Sequence, residues 1–216
     1  MEKSNSKKMS DIIYYYKWYA LAVIGVLAIV LLFVHECATT VKDDIVVNML
    51  LSNDYNEDAS VNIAADLEGK QIFADLNGDG SLKTYINIVK VPYNLTSEAD
   101  ISSSMQATVA LATDDALLCL VDEDLLEMYA EKGFFEDIKE KLPAQIAVRD
   151  DAFFTTSDGK TVGISLKDNA YLEKMGISTK SLYACIRIPI EGSDEDMHSK
   201  KTEASVNILA HIIQQQ

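Results

Sequence analysis

The chain has 216 residues, and its 34 acidic and 19 basic side chains give a formal net charge of −15. So acidic a chain repels nucleic acid and anionic lipid, and we expect no nucleic-acid partner for it. Its three cysteines are too few for a disulfide framework, and it has no C-x-x-C pair and no Cys/His cluster. These features argue against zinc sites and thioredoxin-type redox chemistry.

An apolar segment near the amino terminus predicts a membrane anchor. Residues 18–34, WYALAVIGVLAIVLLFV, contain no charged residue and would rise about 25 Å as a helix, slightly less than a hydrocarbon core. Four lysines and a cluster of tyrosines precede this segment, whereas the first charged residue after it is Glu36. The positive-inside rule therefore predicts a cytoplasmic amino terminus and an extracellular carboxy-terminal domain.

Two other interpretations of the segment fit less well. The apolar run is longer than the core of a typical signal peptide, and no Ala-x-Ala-like site closes it. Cys37 follows His35 and Glu36, whereas a lipoprotein signal needs small residues before its cysteine. We therefore predict a cytoplasmic tail at 1–17, a transmembrane signal anchor at 18–35, a stalk at 36–44 and an extracytoplasmic domain at 45–216.

Strand-like and helix-like segments alternate through the outer domain. Apolar and β-branched runs predict strands at 45–51, 84–91, 116–121 and 181–190. The stretch 152–166, AFFTTSDGKTVGISL, indicates a hairpin with Asp158-Gly159 at its turn. This alternation predicts an α/β fold, in which a mostly parallel sheet forms the middle of a three-layer domain.

The helices predicted between the strands are amphipathic, and two of them carry apolar residues on one stripe, the arrangement by which a helix faces a core. The stripes are Val61, Ala64, Ala65 and Leu67 in one helix, and Ile101, Met105, Val109 and Ala112 in the other. A closing helix is predicted over SVNILAHII, with the polar stretch before it, including His198, as a loop.

Two of the cysteines lie in predicted strands. Cys119 is in ALLCLV and Cys185 is in YACIRI, so we expect two buried, inert thiols. A disulfide between them is the alternative if the two strands are neighbours.

Three stretches of the outer domain resemble the first lobe of bacterial extracellular solute-binding proteins, which have the type 2 periplasmic-binding fold. IVVNMLL followed by a helix is similar to the opening strand of such a lobe. ALLCLVDEDLLEMYAEKGFFEDI resembles a strand with an aspartate at its end, followed by a helix, and SDGKTVGISL is similar to the hairpin before the hinge. The segment YYYKWY before an apolar anchor resembles membrane-anchored proteins of clostridia-type Gram-positive bacteria.

The chain also departs from that family. Only about 50 residues follow Leu166, whereas a solute-binding protein has a second lobe of comparable size after the hinge. Without two lobes there is no cleft that closes on a ligand. The resemblance therefore implies the fold of one lobe and does not by itself imply capture of a ligand by closure.

Polar residues at two predicted strand ends are the candidate ligand contacts. In open α/β sheets, ligands bind beyond the carboxyl ends of the strands. Asn53 and Asp54 follow the first strand, and Asp122 and Glu123 end the third. If the domain binds a small solute or peptide, these four residues are the predicted contacts. The alternative is that they are polar loop residues without a ligand, and Asp122 and Glu123 also suit the start of the following helix.

The loop DLNGDG, residues 75–80, begins like a calcium-binding loop. Asp75, Asn77 and Asp79 take the first three ligand positions of an EF-hand, and Gly80 takes the position of its glycine. Ile86, however, stands where the bidentate glutamate is needed, so a complete EF-hand is excluded. We expect no cofactor; a weaker calcium site at these three residues is the alternative to a simple Asx turn.

No arrangement of residues typical of a catalytic site appears, and we expect that the protein is not an enzyme. We therefore predict a membrane-anchored extracytoplasmic docking module, held by residues 18–34 and bound to a membrane or envelope protein. The alternative is a binding module for a small solute or peptide, associated with transport or sensing.

Overall fold

The computed structural model describes residues 16–19, 21–32, 42–92, 96–112, 116–143, 146, 148–189 and 194–215. The chain divides into two units, Met1–Val41 and Lys42–Gln216. In the first unit the described residues, 16–19 and 21–32, are helical and exposed. Among the residues described, no helix has both the length and the apolar character needed to cross a membrane. Positions 20 and 33–35 of the predicted anchor, and Cys37, lie outside the described residues.

The second unit is built on a six-stranded sheet with the order β2-β1-β3-β6-β5-β4. The strands are β1 (Ile45–Leu51), β2 (Thr84–Lys90), β3 (Ala116–Asp122), β4 (Phe153–Thr155), β5 (Thr161–Ser165) and β6 (Leu182–Ile186). The helices are α1 (Ala59–Gly69), α2 (Glu98–Ala112), α3 (Glu123–Glu131), α4 (Ala170–Lys174) and α5 (Glu195–Gln214), with short 3-10 turns at Ile138–Glu140 and Asp150–Ala152. The α/β class is confirmed, and each predicted strand is present, with the one expected at 181–190 observed at Leu182–Ile186.

The sheet is mixed, and the prediction of a mostly parallel sheet is wrong. β1 pairs in parallel with β2 and β3, whereas the pairs β3–β6, β6–β5 and β5–β4 are all antiparallel. Parallel neighbours need a long crossover, which α1 and α2 supply. The tight turn at Asp158-Gly159 makes β4 and β5 a hairpin, and the five-residue helix α4 is too short to carry the chain back along the sheet.

Helices cover both faces of the sheet, so the three predicted layers are present. Because side chains alternate along a strand, Leu118 and Leu120 enter one core with α1, α4 and α5. Cys119 and Val121 enter the second core, with α2 and α3. Strands buried on both faces explain the continuous apolar runs in the sequence.

The structure corrects the predicted faces of two helices. In α1 the buried side chains are Ala59, Ile63 and Leu67, and Val61 is exposed. In α2 the sheet contacts Ala107, Ala110 and Leu111, so the predicted stripe points away from the sheet and is exposed at Ile101, Met105, Val109 and Ala112. The alanine face is the buried one because small side chains let a helix approach the strands closely.

The last helix is longer than expected. Asp194 caps α5, its carboxylate accepting from the backbone N–H groups of Asp196 at 3.0 Å and Met197 at 3.2 Å. His198 therefore lies in a helix and not in the predicted loop.

Cys119 and Cys185 face each other across the pair β3–β6, and both thiols are free and buried. Burial raises the pKa of the Cys119 thiol to about 12, and burial, then the charge of Cys119, raises the pKa of Cys185. Neither thiol is therefore available as a thiolate at neutral pH.

Candidate functional site at the carboxyl edge of the sheet

One edge of the sheet collects the polar residues that the sequence singled out. β1, β2, β3 and β5 all run toward this edge, and β4 and β6 start from it. We call this the carboxyl edge. It is the place where ligands bind in open α/β sheets.

Asp122 organises the centre of the carboxyl edge. Its side chain is buried, with 1% of its surface exposed. Oδ2 accepts from the backbone N–H of Ser52 at 2.7 Å, from the Ser52 hydroxyl at 2.6 Å and from the Asn53 amide at 3.2 Å. Oδ1 accepts from the Ser181 hydroxyl at 3.3 Å. A buried carboxylate with four donors is satisfied, so Asp122 holds the loop after β1 and the start of β6 in place.

The other three predicted contacts have different environments. The Asn53 side-chain amide donates to the Asp122 carboxylate. Asp54 is exposed and is bonded by the Lys90 ammonium, which together with the positive charge of that group lowers the pKa of Asp54. Glu123 begins α3, and its backbone N–H donates to the Ser181 carbonyl at 2.8 Å. Only Asn53 and Asp122 are bonded to each other.

A cleft of about 630 Å³ opens at the antiparallel end of the carboxyl edge. Its size is in the range of small-molecule sites. Its polar lining is Arg149, Asp151, Ser165, Lys167, Asp168 and Tyr183. The end of β5, the start of β6 and the 3-10 turn before β4 bring these residues together. The cleft therefore presents both signs of charge beside an aromatic hydroxyl.

Tyr183 links the cleft to the predicted contacts. Its ring packs edge-on against Phe154, with ring centroids 5.7 Å apart. Burial, then the negative charge of Glu123, raises the pKa of the Tyr183 hydroxyl, so it stays a hydrogen-bond donor at neutral pH. At the rim, Asp168 has a φ of 60°, a left-handed conformation that aspartate tolerates better than most residues. Arg149 and Asp151 form an exposed ion pair at 3.3 Å.

The DLNGDG loop is closed by its own side chains. Asp75 accepts from the backbone N–H groups of Gly78 at 2.6 Å and Gly80 at 2.8 Å, and the Gly80 bond is the largest cause of the lowered pKa of Asp75. Asn77 accepts from the N–H of Asp79, and Asp79 from that of Ser81. In the described part of the chain, no group of three or more His, Cys, Asp or Glu residues is arranged to hold a metal ion. Calcium binding at Asp75, Asn77 and Asp79 stays a prediction.

Buried Asp44 anchors this loop to the sheet. Its carboxylate accepts from the backbone N–H groups of Leu76 at 2.8 Å, Asn77 at 3.1 Å and Lys83 at 2.9 Å. Asp44 falls in the predicted stalk, whereas its side chain is 2% exposed and belongs to the folded domain.

Sequence reasoning missed the residues of the cleft itself. Arg149, Lys167 and Tyr183 lie far apart in the chain, and none stands in a recognisable motif. Ser52 and Ser181 were also missed, although each sits beside a strand end at the carboxyl edge. The available signal was topological: once β5 and β6 are known to be neighbours, Ser165 and Tyr183 must lie side by side.

Comparisons with known proteins leave the family open. No protein-family description matches the chain. No curated protein matches it either. Among solved structures, the chain is similar to the ABC substrate-binding protein Lmo0181 from Listeria monocytogenes in complex with cycloalternan. The match has 15% sequence identity and a TM-score of 0.34, and it covers 55% of this chain and 27% of that one. A likeness of this size establishes neither fold nor function.

Proposed function

We propose that the outer domain is a binding module that takes a small polar solute into the cleft at the carboxyl edge. The observation that carries the proposal is the cleft of about 630 Å³, which Arg149, Lys167, Asp151 and Asp168 line together with Tyr183. Groups of both charges suit a solute that itself carries charged or hydrogen-bonding groups. The proposal includes no catalytic step.

In this proposal Asp122 positions the site and does not touch the solute. Its carboxylate is occupied by Ser52, Asn53 and Ser181, so a ligand would have to displace existing bonds to reach it. Tyr183 is the better contact, because it lines the cleft and keeps its proton at neutral pH. Glu123, one of the predicted contacts, then affects binding through Tyr183, whose pKa is raised by burial and then by the negative charge of Glu123.

Thermal unfolding of the full chain in detergent tests solute binding. A panel of amino acids, di- and tripeptides, and neutral and charged sugars is added singly, and a binder present at 100 times its Kd stabilises by about 2.7 kcal/mol. Tyr183→Phe keeps the ring contact with Phe154 and removes the hydroxyl, so it should reduce the shift. Tyr85→Phe, an exposed tyrosine on β2, is the matched control. If no compound in the panel shifts the unfolding temperature, solute binding is wrong.

We further propose that residues 18–34 anchor this module in the cell membrane with its carboxy-terminal domain outside. The support is the uncharged run and the lysines before it. Full-length protein should resist extraction of membranes at alkaline pH, and its outer domain should be open to protease in intact cells. Replacing Val26 and Ile29 with arginine should release the chain, because each central arginine costs about 3 kcal/mol on insertion, whereas leucine at both positions should not. Release of the wild-type chain from membranes at alkaline pH would contradict the proposal of a membrane anchor.

A docking role is a second candidate, and exposed apolar side chains on α2 favour it. Met105 and Val109 are 65% and 62% exposed, on a helix that carries no charge from Ile101 to Ala112. A solvent-facing helix normally has a charged outer face, so this one suits contact with a protein partner in the membrane or envelope. Recovery of the full-length protein from native membranes should bring that partner along in a fixed ratio.

A further inference from the structure

Exposed apolar side chains gather at one end of the sheet. In the described part of the outer domain, seven large apolar side chains are exposed, and five of them lie on α1, β2 and α2. The five are Val61, Tyr85, Ile101, Met105 and Val109. β2 is the last described strand at this end, with α1 packed on one of its faces and α2 on the other. We call these three elements the β2 edge surface.

The backbone of β2 is open along this surface. The N–H of Val91 donates to the Leu51 carbonyl at 2.8 Å. Because bonding alternates along a parallel pair, the backbone groups of Ile86 and Ile88 point away from β1. At the start of the strand, the Glu68 carboxylate accepts from the N–H of Thr84 at 2.7 Å. Past that point no described strand covers the edge, so Ile86 and Ile88 can pair with an added strand.

The charge of the β2 edge surface indicates what covers it. The chain carries a net charge of −15, yet residues 85–89 of β2 and 101–112 of α2 contain no charged side chain. A basic partner would be recognised by an acidic surface. A second copy of an acidic chain must instead approach where neither molecule is charged, because like charges facing each other repel. The neutral surface therefore suits its own copy.

We propose that two copies of the chain associate through β2, which pairs antiparallel with itself about a two-fold axis at Asn87. The pairing joins the two six-stranded sheets into one continuous sheet. In the register centred on Asn87, Ile86 lies opposite Ile88 of the second copy, and Thr84, whose N–H is held by Glu68, lies opposite its Lys90, so no like charges face each other. This inference names the partner for the docking role and is independent of solute binding.

The helices on the sheet fit the same arrangement. α2 packs over β1 and β2, and strands are spaced by about 4.8 Å. A helix above the midline of these two strands lies about 4.8 Å from the two-fold axis, so the two copies of α2 are about 10 Å apart. Packed helices are separated by 8–10 Å. The association thus brings the two copies of α2 into contact along their sides.

An engineered disulfide tests the axis and the register. In the full chain with Cys37→Ser, in detergent, Asn87→Cys places two thiols at a non-hydrogen-bonded pair whose Cα atoms are about 4.5 Å apart, within reach of a disulfide. Tyr85→Cys is the control, because its own copy lies about 13 Å away in this register. We expect mild oxidation to cross-link Asn87→Cys and to leave Tyr85→Cys monomeric. Cross-linking of both variants to the same extent, or of neither, would overturn the proposal.

Mass measurement by native mass spectrometry tests association without cysteines. The full-length chain should be a dimer at micromolar concentration, and Tyr85→Glu, which places a charge on the paired strand opposite Val89 of the second copy, should raise the dimer Kd at least tenfold. Met128→Glu changes an exposed methionine on α3, away from the β2 edge surface, and should leave the dimer intact. Ile88→Pro removes an outward N–H and should give a folded monomer by circular dichroism.

Two outcomes separate a failure of self-association from a failure of docking. A monomer that comes from native membranes with a different protein in a fixed ratio would overturn self-association and keep docking. A monomer without any partner would overturn both.

Discussion

The two halves of the sheet are built by different rules. The parallel half, β2-β1-β3, is joined by the crossover helices α1 and α2. The antiparallel half, β6-β5-β4, is joined by a tight turn and the short helix α4. The cleft lies in the antiparallel half, where short connections leave strand ends close together, and the exposed apolar surface lies in the parallel half. The two proposed activities therefore occupy opposite ends of one sheet.

The two outer strands show the same contrast. β4 has three residues, and its pairing with β5 shifts register between Phe154 and Thr155. Short and bulged edges resist the addition of another strand. β2 has seven residues and pairs with β1 without a shift. Only the edge of the parallel half is suited to pair with another chain.

The largest loss of stability is expected on replacing Asp122, which is hydrogen-bonded to both halves of the sheet. Asp122 accepts from Ser52 and Asn53 of the parallel half and from Ser181 before β6. Asp122→Ala leaves these donors without the acceptor, and we expect the free energy of unfolding to fall by about 3 kcal/mol. Urea unfolding of the full chain in detergent measures the loss.

Asp54→Ala is the control for this prediction. Asp54 lies on the same edge but is exposed, so its replacement should leave the urea midpoint unchanged. Equal losses in the two variants would mean that Asp122 does not join the halves.

A smaller effect is expected within the antiparallel half. A Cβ added at Gly163 would lie 2.9 Å from Leu126 Cδ2 and 3.4 Å from Phe154 Cβ, so β5 and α3 approach each other closely there. Gly163→Ala should destabilise by about 1–2 kcal/mol. At Gly69, at the end of α1, an added Cβ meets nothing within 4 Å, and Gly69→Ala should cause no loss. If Gly163→Ala leaves the free energy of unfolding unchanged, α3 can move away from β5 to make room for the added methyl group.

The smallest effect on stability is expected from a change of pH that protonates His211. This residue belongs to a cluster of side chains that joins α1, α4 and α5. His211 Nε2 lies 3.6 Å from Asp66 Oδ2 and 3.4 Å from Lys70 Nζ, and its ring packs on Tyr171. Burial, then the charge of Lys70, lowers the pKa of His211, and the opposing charge of Asp66 does not offset this.

Because the unfolded chain binds this proton more readily, the His211 contribution is complete above the unfolded pKa of about 6.5 and is lost as pH falls below it. The wild-type urea midpoint should therefore drop between pH 7.5 and 5.5, and His211→Gln should show a smaller drop. An unchanged drop in this variant would assign the pH dependence to other groups.

The sequence predicted the strands better than the directions in which they run. Ile45–Leu51 is recovered residue for residue, because a short apolar run between polar segments allows one assignment. The Asp158-Gly159 turn is also confirmed, since Gly159 takes a φ of 86° that few other residues tolerate. The direction of β6 was not predictable, because the 16 residues between β5 and β6 permit either pairing.

The exposed face of α2 was missed for a chemical reason. From Ile101 to Ala112 both faces of this helix are uncharged, so polarity does not separate the alanine face from the one with Met105. Of the four predicted contacts, Asn53 and Asp122 lie together at the carboxyl edge, and ligand binding by these residues stays a prediction. The cleft depends on the antiparallel pairing of β5 with β6, which the sequence did not predict.

The facing cysteines sit at the seam between the two halves. Arg187 N–H donates to the Leu117 carbonyl at 2.8 Å, so by alternation Cys119 and Cys185 form a hydrogen-bonded pair, whose Cβ atoms are about 5.5 Å apart. That is too far for an unstrained disulfide, which needs about 3.5–4.5 Å. Alkylation of either thiol in the native state therefore requires the β3–β6 pair to open, so the alkylation rate measures that local opening.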